Sequence, residues 1–69
     1  MYVAGILIQP SKNSDDPVIL HRYDNGNVIP VETKIYSPER ISEAIEYAEI
    51  LAQQNNWIRL NKYNWQEAK

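Results

Sequence analysis

Residues 18–36, VILHRYDNGNVIPVETKIY, carry the clearest structural signal in this chain. Two runs rich in β-branched and aromatic residues flank Asn25 and Gly26, and Asn-Gly between such runs predicts a β-hairpin. With these two residues as the turn, Tyr23 pairs with Val28. The alternation of side chains along each strand then separates two faces. The predicted core face carries Val18, Leu20, Ile29, Val31, Thr33 and Ile35.

The other face of this hairpin is too apolar for a surface that meets only water. It carries Ile19, His21, Tyr23, Val28, Pro30, Glu32, Lys34 and Tyr36. Apolar patches of this kind indicate contact with a second element, a second copy or a partner. Pro30 has no N–H to donate to a sheet, which predicts that its strand lies at an edge or contains a bulge.

Residues 37–56 have the pattern of a single helix. Ser37 is a favourable N-cap and Pro38 suits the first helical position. Asn55 and Asn56 tolerate the left-handed conformation in which helices end. Apolar residues recur every three or four positions, which defines one buried helical face. That face carries Ile41, Ala44, Ile45, Ala48, Leu51 and Ala52.

The remaining segments flank these elements. Residues 2–9 are almost entirely apolar, which predicts a central strand, and Gly5 within it indicates a bulge or the close packing of another element. Residues 9–17, QPSKNSDDP, are typical of a surface loop. Residues 57–60, WIRL, are a candidate short strand, and residues 61–69 are a polar tail whose order the sequence leaves open.

We therefore expect an α+β fold in residues 1–60, followed by a tail, residues 61–69, with aromatic anchors. The expected sheet is mainly antiparallel with three or four strands, in the order β-β-β-α with or without a short final strand, and the helix packs on one face. The expected core is Leu7, Leu20, Val31, Ile35, Ile41, Ile45, Ala48 and Leu51. A chain of 69 residues without cysteine has no disulfide to stabilise it, so we also expect a homo-oligomer.

The element order over residues 1–56, with SPERISEAIEYAEILAQQ as the helix, resembles that of small partial-RNase-H-like domains. These domains include the HicB-type antitoxins. The resemblance implies a sheet with a helix on it. It carries over no functional residue, because element order alone does not determine function.

No pattern in the sequence predicts catalysis, a cofactor or a metal site. His21 is the only histidine, there is no cysteine, and the two glycines are too far apart for a phosphate-binding loop. Asp15 and Asp16 lack the other oxygen ligands and the glycine of a calcium loop. We therefore expect that the protein is not an enzyme and holds no cofactor and no metal.

The charge distribution bears on the possible partners. Seven Lys and Arg residues are scattered along the chain against nine Asp and Glu, a formal net charge of −2. Proteins that bind duplex nucleic acid concentrate basic residues on one face, so we expect no duplex binding. No apolar stretch approaches the roughly 20 residues of a membrane span. We expect a cytoplasmic protein.

Two surfaces are candidates for contact with another protein. The first combines the apolar hairpin face with the aromatic tail. The second is an acidic ridge on the outer side of the helix, flanked by Tyr47 and Ile50. The candidate partner-binding residues are Ile19, His21, Tyr23, Tyr36, Glu43, Glu46, Tyr47, Ile50, Tyr63 and Trp65.

These surfaces predict a small non-catalytic protein-binding module, such as a regulator, inhibitor or accessory subunit. Two alternatives use the same residues. Aromatic side chains on an open sheet stack bases, which is how single-stranded nucleic acid is bound. A structural homodimer would instead bury the same face between two copies. The sequence does not identify the partner, the source organism or the oligomer size.

Overall fold

The computed structural model describes residues 3–10, 12–13 and 15–67. Its described residues form one antiparallel sheet of five strands with a helix on one face, which confirms the α+β class and corrects the expected strand number of three to four. The strands are β1 (Gly5–Gln9), β2 (Val18–Tyr23), β3 (Glu32–Tyr36), β4 (Trp57–Asn61) and β5 (Asn64–Glu67). A 3-10 turn, Pro38–Arg40, leads into helix α1 (Ile41–Asn55).

The strands lie in the order β3-β2-β1-β5-β4, so β1 is central as predicted. The helix connects the two edge strands, and the chain then returns through β5 to pair with β1. Strand β5 comes from the tail whose order the sequence left open. A Cβ on Gly5 would collide with the carbonyl oxygen of Trp65, so glycine allows β5 to lie this close to β1.

The core lies between the sheet and α1. Its large, fully buried side chains are Trp65, Ile6, Ile8, Leu20 and Val18. The helix contributes alanines, which let its backbone approach the sheet; these are Ala44, Ala48 and Ala52. The predicted helix face is therefore confirmed, with Ile41, Ile45 and Leu51 packed half-buried at its margin.

Three predicted core residues are instead exposed. Leu7 alternates with the buried Ile6 and Ile8, so it points to the opposite face of β1 and is 37% exposed. Val31 precedes β3 and is 46% exposed, and Ile35 is 70% exposed. The prediction was wrong at Val31 and Ile35 because the register of the hairpin was wrong.

Strand β3 pairs with β2 three residues away from the predicted register. Val18 lies opposite Tyr36 rather than Thr33. Since side chains alternate, a shift by an odd number of residues exchanges the two faces of β3. Gly26 has a positive φ of 80° while Asn25 does not, which excludes the type I′ turn that the prediction assumed. Residues 24–31 form a longer connection instead.

The helix ends where the sequence predicts, but its first turn, Pro38–Arg40, is a 3-10 turn, α1 itself begins at Ile41, and the Ser37 side chain makes no cap hydrogen bond. Ser37 is extended and its carbonyl accepts a hydrogen bond from Arg40 N at 2.9 Å, which opens the 3-10 turn. Asn56 adopts the left-handed conformation, with φ 59°, and its N–H donates to the Ala52 carbonyl. No helix in the described part of the chain has the length and apolarity needed to cross a membrane.

Candidate protein-binding surface

One face of the sheet is covered by α1, and the described residues place no second layer on the other, which we call the open face. The pairing registers define its members, because directly paired residues share a face. They are Gly5, Leu7, Gln9, Ile19, His21, Tyr23, Thr33, Ile35, Ile58, Asn61, Asn64 and Gln66.

The open face contains no Asp, Glu, Lys or Arg. Every charged strand residue lies on the side of the helix; these are Arg22, Glu32, Lys34, Arg59 and Glu67. The uncovered face of a two-layer fold is usually charged or polar, so the open face departs from that pattern. Depletion of charge is instead the compositional signal of the centre of a protein interface.

Apolar side chains cross the open face diagonally. Ile35 and Ile19 are directly paired at one corner. Leu7 lies near the centre, on β1, and Ile58 lies on the far edge strand. From strand spacing and rise, this stripe is about 20 Å long. Ile58 is about half exposed, and Leu7 and Ile35 are also accessible. The stripe is therefore open to solvent.

A shallow depression of about 460 Å³ lies at one end of the open face. Gly5 forms its floor, since it has no side chain, and its paired neighbours Tyr23 and Gln66 stand on either side. Val28 also lines it, from the connection between β2 and β3. The depression could receive one apolar side chain of a bound protein.

His21 lies between Leu7 and Thr33 on the open face. Its Nε2 lies 3.3 Å from Gln9 Oε1, and its ring centre is 6.3 Å from that of Tyr23. Its Nδ1 is buried and has no hydrogen-bond partner among the described residues. Its recorded neighbours are thus one side-chain amide and one aromatic ring.

The structure brings together three of the predicted partner-binding residues, Ile19, His21 and Tyr23, on the open face. Tyr36, Tyr63 and Trp65 lie on the covered side. Tyr36 and Tyr63 pack half-buried against the core. Trp65 is 1% exposed, so it stabilises the fold and offers no surface to a partner.

The predicted acidic ridge is partly neutralised within the chain. Arg40 donates two hydrogen bonds to Glu43, at 2.7 and 2.8 Å, and this holds the pKa of the Glu43 carboxyl below its usual value. Arg59 Nη1 lies 2.8 Å from Glu49. Glu46 is exposed and has no ion pair within the described residues. Of these three carboxylates, those of Glu43 and Glu49 are therefore compensated within the chain.

The two apolar neighbours of the ridge differ. Tyr47 packs against the core, donates a hydrogen bond to Glu32 at 3.0 Å, and lies beneath the Lys34 ammonium at 4.1 Å. Ile50 is about half exposed. Glu43, Glu46 and Ile50 thus lie on the opposite layer from the open face and do not form one site with it.

The basic side chains near the sheet are already engaged. Arg22 Nε lies 3.2 Å from Glu32 Oε1. Arg59 stacks over the Trp65 ring at 5.0 Å, and its Nε and Nη2 donate to the carbonyls of Asn61 and Lys62. These groups and Lys34 lie on the side of the helix. The strand residues of the open face therefore include aromatic and apolar groups but no cation, and Lys12 lines a depression beside Gln9 and Ile19 at the margin of that face.

Sequence reasoning missed most of the open face. Leu7 could have been placed by its alternation with two buried isoleucines. Ile35 and Thr33 needed the correct register of β3. Ile58, Asn64 and Gln66 join the face through the pairing of β5 with β1, for which the sequence holds no local signal.

No cluster of three His, Cys, Asp or Glu side chains that could hold a metal ion occurs in the described residues. The chain matches no protein-family model, no curated protein and no solved structure. The likeness to partial-RNase-H-like domains is therefore one of element order alone.

Proposed function

We propose that the protein is a small non-catalytic protein-binding module whose binding surface is the open face. The observation that carries this proposal is the placement of charge. All charged strand residues lie on the covered side, and the uncovered side combines Leu7, Ile19, Tyr23, Ile35 and Ile58 with uncharged polar groups. When another protein covers such a face, apolar surface is removed from water and the free energy falls.

The mode of action is occupation of a partner's surface, as in a regulator, inhibitor or accessory subunit. The stripe supplies apolar contact area, and the depression beside Tyr23 would take up a projecting side chain. The side-chain amides of Gln9, Asn64 and Gln66 form hydrogen bonds with water in the free protein. A partner can replace that water, so these amides stay hydrogen-bonded in the complex. We place this activity in the cytoplasm.

Single-stranded nucleic acid is a weaker candidate for the same face. Base stacking needs aromatic rings next to cations that follow the backbone. Tyr23 is the only Tyr or Trp of the open face, and Arg22, Lys34 and Arg59 point to the other side. The charge placement thus favours protein over nucleic acid.

The test is capture from a lysate of the source cells with tagged wild-type protein and two variants. Ile35→Lys places a charge on the open face at a side chain that is already 70% exposed, so the fold should tolerate it. Ile50→Lys is the matched control on the helix layer. We expect the bound protein, identified by mass spectrometry, to be lost with Ile35→Lys and retained with Ile50→Lys.

The opposite pattern would reject the proposal. If Ile35→Lys captures the same proteins in the same amounts as wild type, while circular dichroism shows both to be folded, the open face is not the binding surface.

A further inference from the structure

We infer that Asn25 is a site of spontaneous deamidation, and that its conversion to aspartate or isoaspartate releases the connection between β2 and β3 from the end of the sheet. The reaction needs no partner, so the site is independent of the proposed function. Three features support it: the residue that follows Asn25, the space around the turn, and the hydrogen bonds of the Asn25 side-chain amide.

The reaction takes place within the chain and consumes one water molecule. The backbone nitrogen of Gly26 attacks the side-chain amide carbon of Asn25. A new C–N bond forms, the backbone nitrogen loses its proton, ammonia leaves, and a cyclic succinimide remains. Water then adds to either carbonyl of the ring and opens it to aspartate or isoaspartate. The net change is hydrolysis of the side-chain amide.

The residue after an asparagine decides how easily the backbone nitrogen reaches the amide carbon. Asn25 is the only asparagine of the chain that is followed by glycine. Glycine has no side chain to obstruct the attack and leaves its backbone freer to rotate. Asn27 is followed by Val28, whose branched side chain crowds the attacking nitrogen. Asn25 is therefore the favoured site, and Asn27 is a control within the same connection.

The turn around Asn25 is open to water. The Asn27 N–H donates to the Asp24 carbonyl at 3.3 Å, so Asn25 and Gly26 are the two central residues of a turn. Both are exposed. A Cβ placed on Gly26 would meet no described atom within 4 Å beyond the adjacent residues. The turn therefore has room to take up the geometry of the ring, and water can reach the ring to open it.

The side chain of Asn25 fastens the connection to the end of the sheet. Its Oδ1 accepts a hydrogen bond from the Ala4 N–H at 3.2 Å, and its Nδ2 donates to Glu67 Oε2 at 3.0 Å. We call these two bonds the Asn25 clamp. The Glu67 N–H also donates to the Ala4 carbonyl at 2.9 Å, so the clamp joins the connection to two segments that are already bonded to each other. Because both bonds compete with water, the clamp can open locally while the sheet stays folded.

The product of deamidation cannot form the same clamp. A side-chain amide donates and accepts hydrogen bonds, whereas an ionised carboxylate only accepts them. Deamidation therefore removes the bond to Glu67 and places a second carboxylate beside the first, and like charges in contact repel. No ion pair of Glu67 with another described residue compensates that charge. The released connection carries Val28, which lines the depression on the open face.

The first experiment follows the reaction in the folded wild type. The protein is incubated in a mildly alkaline buffer, in which the attacking nitrogen loses its proton more readily, and is then digested with trypsin. Cleavage after Arg22 and Lys34 gives one peptide that contains both Asn25 and Asn27. Fragmentation in a mass spectrometer locates the change. We expect Asn25 to convert while Asn27 stays asparagine.

The same incubation in urea supplies the rate without the fold. If Asn25 stays intact in the folded protein over a period in which it converts in urea, the Asn25 clamp protects it and the assigned site is wrong. Conversion of Asn27 as fast as Asn25 in the folded protein would also overturn the assignment.

The second experiment tests the release of the connection. Asn25→Asp stands for the product, and Asn27→Asp is the matched control, with the same added charge on the same connection. Hydrogen exchange of the Ala4 amide, measured by NMR, reports the clamp because this N–H donates to Asn25. We expect the Ala4 amide to exchange at least about fivefold faster in Asn25→Asp, as for the loss of one hydrogen bond, and at the wild-type rate in Asn27→Asp.

A double variant, Asn25→Asp with Glu67→Gln, tests the cause of the release. The glutamine amide can donate to the aspartate carboxylate, which restores the bond with the two roles exchanged. Exchange of the Ala4 amide should therefore return to the wild-type rate. Wild-type exchange in the single variant Asn25→Asp would show that the product keeps the clamp. A double variant that exchanges as fast as Asn25→Asp would show that the bond to Glu67 is not what holds the connection. Either result overturns the inference.

Discussion

Arg59 connects three parts of the fold through one side chain. Its guanidinium stacks over the buried Trp65 ring and pairs with Glu49 on α1. It also donates to the carbonyl of Asn61, at the end of β4, and to that of Lys62, in the turn that follows. The planar guanidinium can do this because it presents five donors in fixed directions. It covers one end of the core and satisfies carbonyls at an edge of the sheet.

We expect Arg59→Ala to lower the free energy of unfolding by about 1–2 kcal/mol, because it removes charge-assisted hydrogen bonds and the cover over Trp65. Urea unfolding followed by circular dichroism measures this. The matched control is Arg40→Ala, because the ion pair of Arg40 with Glu43 is exposed. That change should cost clearly less, because solvent screens an exposed ion pair. Equal losses for the two variants would contradict the role assigned to Arg59.

Tyr47 joins two elements, the helix and the edge strand β3. Burial raises the pKa of the Tyr47 phenol, and the hydrogen bond to Glu32 raises it further, while the nearby Arg22 lowers it. The folded protein therefore favours the neutral phenol. The phenol has a pKa of about 10 in the unfolded chain, and below that pH the contact contributes its full stability. This contribution is lost as the pH rises through the higher pKa that the phenol has in the folded protein.

We expect Tyr47→Phe to cost about 1 kcal/mol at neutral pH, because one hydrogen bond is lost. Above about pH 10, the wild type should lose stability faster than the variant does, since only the wild type has to deprotonate this phenol on unfolding. Thermal melts at a series of pH values compare the two. Tyr23→Phe, on the open face, is the control for general alkaline effects. Parallel pH curves for wild type and Tyr47→Phe would contradict this assignment.

The elements differ in how far the sequence predicts them. Helix α1 is predictable because its signals are local: a proline at its start, asparagines at its end and a regular apolar period between them. Strand β3 was found, but its register was not. Asn25-Gly26 favours a two-residue turn, but that turn places Pro30 inside a strand, which Pro30 disfavours because it has no N–H to donate. The prediction gave more weight to the turn. In the structure, Pro30 lies in the connection before β3, where its missing N–H costs nothing.

At the level of the whole molecule, topology rather than local pattern fixes the open face. The pairing of β5 with β1 joins residues about sixty positions apart in the chain, and nothing near Trp65 in the sequence indicates it. The aromatic tail therefore looked like a surface anchor, although Trp65 is the largest side chain of the core. The apolar excess on β2 was recognised correctly, because it depends only on the alternation within one strand.

The placement of charge on the whole molecule gives a final prediction about nucleic acid. A labelled single-stranded oligonucleotide should show no rise in fluorescence anisotropy with this protein at low salt, where binding to phosphates is strongest. Tryptophan fluorescence is the wrong readout, because Trp57 and Trp65 both lie on the covered side of the sheet. A double variant, Thr33→Lys and Gln66→Lys, tests the physical reason. It adds two cations to the face that carries Tyr23 and Leu7 and should gain weak binding that salt abolishes. If the wild type binds with that salt dependence, cations outside the open face make the contact, and the placement of charge does not exclude nucleic acid as a partner.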